Sequence, residues 1–330
     1  MDRNSIYYKQ VQLLIQVLPF VAKQKCFALK GGTAINLFVR DFPRLSVDID
    51  LVHLPMKSRD DALQEICDAL DAISVDLKIT FKDVELTEAY RSKRDALRLI
   101  IARNGVQIKV ELSPVLRGTV YEPKLMEVCA VVEDEFGYVE IPVVDLADLY
   151  AGKICAALDR QHPRDLFDVK LLLENEGLTD EIRKALLVYL SSHNRPMAEL
   201  LSPQFKDITA TYEGEFTNMA EMDVPLVELE TVRGRLVDLI HQGLTDVEKA
   251  FLLSFKNREP DWSLLGLNGV CELPAIKWKQ INLAKMPNDK HTQALEKLKD
   301  VLSMWFLKNR CLCRADLLNK SCTFLTINKW

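Results

Sequence analysis

Leu29-Lys30-Gly31-Gly32-Thr33-Ala34, followed by Arg44-Leu45-Ser46-Val47-Asp48-Ile49-Asp50-Leu51, is the stretch that decides how this chain folds. Residues 26–29 are a short apolar run of strand character that ends in a glycine pair, and residues 33–39 read as the helix leaving that turn. Such a turn offers backbone N–H groups and a helix N-terminus to phosphate, although any tight strand-to-helix turn also favours glycine. Residues 47–51 form the next strand. Side chains two apart on a strand share a face, so Ser46, Asp48 and Asp50 point one way while Val47, Ile49 and Leu51 point into the core. Neighbouring carboxylates on a half-buried strand repel one another. A divalent cation offsets that repulsion, and hard oxygen donors suit magnesium.

In Val106–Leu112 the same alternation puts Gln107, Lys109 and Glu111 on one face. If this strand lies beside the first, Glu111 supplies a third carboxylate, the arrangement that two-metal phosphoryl or nucleotidyl transfer needs. Residues 97–103 precede it, and Asn104-Gly105 between the two runs predicts an antiparallel hairpin.

Outward from these strands, residues 4–23 and 58–73 have helical spacing, the latter with Ser58 as N-cap, and residues 125–132 read as a further strand. After Pro142 the periodicity is helical, over 145–158, 164–174, 180–190, 245–255 and 292–306, while 203–223 is polar and ambiguous. The expected organisation is an α/β half, residues 1–142, followed by a mainly helical half, residues 143–330.

A second charged cluster opens the helical half. Lys153 and Arg160 lie two turns apart on one helix, and His162-Pro163-Arg164-Asp165-Leu166-Phe167-Asp168 starts the next, with proline in its first turn. Asp165 and Asp168 share a face. They read either as part of the site or as N-terminal acids complementing the helix dipole, with surface ion pairs to Arg160 and Arg164.

The chain has 330 residues, 48% apolar and 28% charged, which is ordinary for a globular protein and excludes collagen-like or disordered classes. It contains no apolar run long enough to span a bilayer, and its start lacks a signal-peptide pattern, so a cytoplasmic protein without a membrane partner is expected. The eight cysteines include no CxxC pair, which argues against a zinc or disulfide framework. Net charge is −5, but residues 276–330 carry nine Lys and two Arg against four acids. That basic stretch suits a nucleic-acid acceptor, or is a solvated helix surface.

Taken together, Leu29-Lys30-Gly31-Gly32-Thr33-Ala34, the segment Arg44–Leu51, and the pattern Lys153-x-x-Ala156-x-x-x-Arg160-x-x-x-Arg164-Asp165-x-x-Asp168 closely resemble the AbiEii/AbiGii toxin family of nucleotidyltransferases, which includes the MenT toxins. Residues 244–265, Leu273-Pro274-Ala275 and Trp278-Lys279 extend the resemblance over most of the chain. It implies a polymerase-β-like nucleotidyltransferase core (α/β, or α+β) with a helical C-terminal domain that completes the active site. It also implies a toxin–antitoxin setting with a cognate antitoxin, and transfer of NMP from an NTP to an acceptor, RNA such as tRNA, that inhibits growth or aborts phage infection. By the same resemblance Gly31, Gly32, Thr33, Ser46, Lys153, Arg160 and Arg164 bind the nucleotide, and Asp48 and Asp50 bind magnesium, as two ions. Asp165 or Asp168 completes the active site, and Glu111 joins the metal set from strand geometry. Two other functions share such a core: a non-catalytic nucleotide- or antitoxin-binding module, and a small-molecule nucleotidyltransferase of the antibiotic-modifying type. Of the remaining residues, His162 reads as a cap or surface group, and Cys311 and Cys313 as helix or core residues. Trp262 and Trp278 read as packing rather than base stacking, and Arg40 and Arg44 as either triphosphate contacts or surface charge.

Overall fold

The computed structural model describes residues 5–303. The expectations for Cys311 and Cys313, for the end of the last helix and for the final part of the basic stretch lie outside them.

Seven strands form one mixed sheet in the order β3-β4-β5-β2-β1-β7-β6. They are β1 (Phe27–Lys30), β2 (Asp48–His53), β3 (Glu85–Glu88), β4 (Arg98–Arg103), β5 (Val106–Leu112), β6 (Lys124–Glu127) and β7 (Glu140–Val143). The β4–β5 hairpin turns on Asn104 and Gly105, both at positive φ (51° and 76°). That is what a two-residue hairpin requires when its turn must follow the strands' right-handed twist. Helix Ile6–Ala22 lies against β5 and β7 and packs on helix Arg59–Thr80, whose N-cap is Ser58. On the other side of the site stand helices Leu146–Asp159, Pro163–Glu174 and Asp180–Ser192. One continuous cluster of buried apolar side chains joins sheet and helices.

Two elements differ from the sequence expectation. The strand expected over 125–132 stops at Glu127, and residues Ala130–Phe136 are helical. There the Cys129 amide donates to the Leu37 carbonyl at 2.8 Å, which pulls the chain off the sheet, and Val132 then reaches the core from a helix rather than a strand. The helix after the glycine turn begins two residues early, at Gly31, and widens to π geometry over Ile35–Val39. The Asn36 side-chain amide donates to the Gly32 carbonyl at 2.8 Å, and a side chain inserted into the ladder is an established cause of such widening. β7 spans Pro142, so the sheet runs to Val143 and the helices follow from Leu146.

The ambiguous stretch 203–223 contains helix Thr209–Glu215 and a segment that braces the approach to β2. Leu45 N donates to Met219 O at 2.9 Å, Glu221 N donates to Pro43 O at 2.8 Å, and Arg44 forms a bridge with Ala220. These contacts hold Arg44 inward.

Candidate active site

β2 and β5 run parallel, with Asp48 beside Lys109 and Asp50 beside Glu111. β1 pairs antiparallel with β2 and sets Lys30 beside Asp50. Directly paired residues share a face. Lys30, Asp48, Asp50, Lys109 and Glu111 therefore crowd one patch of the sheet, while Ile49, Leu51, Ile108 and Val110 are buried on the other face. Glu111 is a third carboxylate in the expected place. It is engaged, however, by Arg98 from β4 and by the Lys109 ammonium at 3.0 Å, which also stands 3.8 Å from Asp48 Oδ2.

The electrostatics follow from those contacts. Burial raises the Asp48 pKa from its ordinary value, Lys109 opposes this, and Asp50 and Glu111 add to it as like charges. Glu111 shifts the other way: burial would raise it, but Lys109 and Arg98 outweigh burial. Asp48 and Asp50 offer a cation two hard donors on one face, which fits magnesium held by one or two carboxylates together with substrate phosphates. Among the described residues no three His, Cys, Asp or Glu side chains converge on one point, because Glu111 turns toward its two cations.

The glycine turn lies against this patch. Gly31 has φ +77°, and a Cβ there would meet Asp50 Oδ2 at 2.6 Å. A Cβ on Gly32 would meet Arg44 Nη2 at 2.7 Å and Ser46 Oγ at 2.9 Å. Gly31→Ala should cost about 1–2 kcal/mol of stability for the left-handed backbone and also displace Asp50. Gly105→Ala, at φ +76° with nothing within 4 Å, carries only the backbone penalty. Urea unfolding should show the backbone loss in both variants and a further loss in Gly31→Ala, where Asp50 must also move. Thr33 is fully buried, its hydroxyl bonded to the Asp48 carbonyl and 3.0 Å from Ser46 Oγ, so it braces the turn from behind and does not face the cleft.

The second cluster is a buried ion-pair network. Lys153 Nζ lies 2.8 Å from Asp165 Oδ1 and 2.9 Å from Asp168 Oδ2. Arg44 grips Asp168 with two donors, at 2.7 and 2.6 Å, and Arg160 Nη2 donates to Asp165 at 2.9 Å. Asn36 adds a hydrogen bond to Asp168 at 3.2 Å. Both aspartates have no exposed surface, so the surface ion-pair reading does not hold. The helix start supplies the reason: Leu166 and Phe167 pack into the core and carry the acids in with them. Burial alone would raise both carboxyls and lower Lys153. The ionic contacts outweigh it, holding Asp165 well below the usual range, lowering Asp168 and raising Lys153.

Arg164 does not join this network. It pairs with Glu215 at 3.3 Å, and its charge is felt at Asp48. His162 caps its helix, its ring nitrogen accepting from the Arg164 amide at 3.1 Å. Arg40 turns to Glu176 and Tyr150, away from the site. Trp262 packs on Phe251 and Phe255 as expected, but Trp278 is 51% exposed and is not a packing residue.

A cleft of about 410 Å³ collects Gly31, Gly32, Arg44, Ser46, Asp48, Asp50, Glu111, Lys153, Arg160, Arg164 and Asp165 on its lining, with Thr33 and Asp168 behind it. Sequence reasoning gives no role to Lys30, Lys109 or Asp148, which line it too. For Lys30 and Lys109 the signal is strand alternation, readable once the register is known. Asp148 is buried, accepts from the amides of Val120 and Tyr121 at 2.9 Å each and from Tyr189 Oη at 3.0 Å, and is pushed up to about 6 by burial.

The profile of the family described as nucleotidyl transferase AbiEii toxin, type IV TA system, matches residues 12–264. The fold is similar to that of MenT4, a nucleotidyltransferase toxin from Mycobacterium tuberculosis H37Rv, with a TM-score of 0.58 at 14% identity over 85% of this chain and 95% of that one. No curated protein matches the chain. Among the described residues no helix is long and apolar enough to cross a membrane.

Proposed function

This chain belongs to the AbiEii family of nucleotidyl transferase toxins of type IV toxin–antitoxin systems, and from that premise we propose that it is a magnesium-dependent enzyme moving NMP from an NTP to an RNA acceptor, with growth inhibition or phage defence as the outcome. The observation that carries this reading is the convergence of Asp48 and Asp50 with the Gly31-Gly32 turn on one face of the sheet, where a Cβ on Gly31 would meet Asp50.

In the proposed reaction an acceptor hydroxyl forms a bond to the α-phosphorus, the bond between the α-phosphorus and its bridging oxygen to the β-phosphate breaks, pyrophosphate leaves and the hydroxyl proton passes to water. Asp48 and Asp50 would hold magnesium, with Glu111 available once Lys109 or Arg98 gives way. Bound magnesium would supply Lewis-acid activation of the acceptor oxygen and neutralise charge on the leaving pyrophosphate. The N–H groups of the glycine turn are offered to phosphate oxygens. Lys30, an ammonium with no partner among the described residues, lies on the same face. Arg160 and Arg164 add positive charge on the helical wall. Lys153, Asp165, Asp168 and Arg44 serve by fixing that wall against the turn, since Arg44 spans from Asp168 to Gly32. A non-catalytic module would have no use for two carboxylates crowded on one face beside a glycine turn, and both Asp48 and Asp50 are present here.

Expression in a bacterial host tests this. Wild type should arrest growth and Asp48→Ala should not, at equal soluble protein. Equal arrest by both proteins would sink the catalytic account.

A further inference from the structure

Beside the cleft lies a groove of about 700 Å³ between the loop 114–117, the start of helix Arg59–Thr80 and helix Pro274–Ala284. Its floor holds a cation with no counter-ion among the described residues. Arg117 is only 6% exposed, and its Nη1 reaches the carbonyls of Lys57 and Ser58 at 3.3 Å each. Its Nε is buried with no hydrogen-bond partner among the described residues. The charge that acts on Arg117 is another cation, Arg59, and together with burial it lowers the Arg117 pKa. Burying a guanidinium is costly unless it is paired, so two guanidiniums lining one groove make a seat for an anion. The acids on the lining are already engaged, Glu272 by Lys277 and Asp95 by Lys93.

The groove's lip is apolar and flat. Trp278 is 51% exposed and Ile281 46% exposed on the same helix. An exposed indole on the same groove as guanidiniums that have no acidic partner among the described residues combines the two elements that hold single-stranded nucleic acid, a stacking surface and a cationic track. The groove also lies close to the chemistry. A small cavity between them shares Lys30, Leu116 and Asp148 with the catalytic cleft and Arg117 with the groove.

We propose that this groove seats the single-stranded 3′ end of the RNA acceptor. Its phosphates lie on Arg117 and Arg59, a base lies on Trp278, and its terminal hydroxyl is directed toward Asp48 and Asp50. This assignment rests on the nucleotidyl-transfer reading and adds the surface that reading lacks.

The test is binding of a short fluorescent single-stranded oligoribonucleotide with a free 3′ hydroxyl, followed by anisotropy across a salt series. The proteins are wild type, Trp278→Ala and Arg59→Gln, both changes being at exposed positions, and NTP affinity is measured in parallel. Trp278→Ala should weaken RNA binding about tenfold, and Arg59→Gln should reduce the log–log salt slope by about one, with NTP affinity unchanged in each. Wild-type RNA affinity and slope in both variants would overturn the groove assignment, and the transfer reading would still stand if wild type labels RNA from an NTP. Wild type that neither binds nor labels RNA, or labels protein instead, would overturn the nucleic-acid acceptor and the groove together.

Discussion

Asp48→Asn is expected to cut nucleotidyl transfer about a thousandfold, the upper end of what one preorganised charge contributes at a reacting centre, without loss of stability. The two effects separate because the acidic patch works against the fold. Burial and the like charges of Asp50 and Glu111 work against the Asp48 carboxylate, and Lys109 opposes them. Asparagine keeps the shape and removes the repulsion. Lys109 loses its 3.8 Å contact to Asp48 but keeps Glu111 at 3.0 Å. The melting temperature should therefore equal or exceed that of wild type, the behaviour of sites that hold function at some expense of stability. Activity within tenfold of wild type, or a lower melting temperature that accounts for the loss, would contradict this.

Asp168→Ala is expected to cost about 3–5 kcal/mol, because it leaves Arg44 and Lys153 buried without their shared carboxylate. An exposed pair gives the contrast. Asp76→Ala removes the partner of Lys23 at the surface and should cost less than about 1 kcal/mol. Urea unfolding of the two variants measures the difference. The pH dependence has a defined sign. Asp165 and Asp168 are held below their ordinary values, so their contribution is present above about pH 4 and is lost as pH falls through the depressed values. Lys153 is raised, so its contribution is present below about pH 10 and lost as pH rises further. Wild type should accordingly lose stability in acid more steeply than Asp168→Ala, which lacks one of the depressed carboxylates. Parallel acid-unfolding curves would count against the network.

The acidic patch is largely legible in the amino-acid sequence because it depends on strand alternation, a local property. Asp48 and Asp50 share a face in any strand, and Val106–Leu112 begins and ends where periodicity puts it. Register is not local. That Glu111 lies beside Asp50, and Lys30 on its other side, depends on hydrogen bonds between segments far apart in the chain. The residues of the second cluster can be picked out from their spacing, but their burial cannot. Nothing local distinguishes an acid at a solvated helix start from one drawn inward by Leu166 and Phe167. Arg44 is ambiguous in sequence for the same reason, since its burial is enforced by Met219 and Ala220 from a polar stretch without periodicity. The packing expectation for Trp278 fails because amphipathic spacing shows that a face exists, not whether another element covers it.

Transfer of label from α-labelled NTPs to total RNA reads out whether Asp48 and Asp50 carry a cation-dependent nucleotidyl transfer. Wild type with magnesium should label RNA, and the label should vanish on chelation and in Asp48→Asn. Undiminished labelling by Asp48→Asn, or labelling that survives removal of divalent cations, would contradict the account.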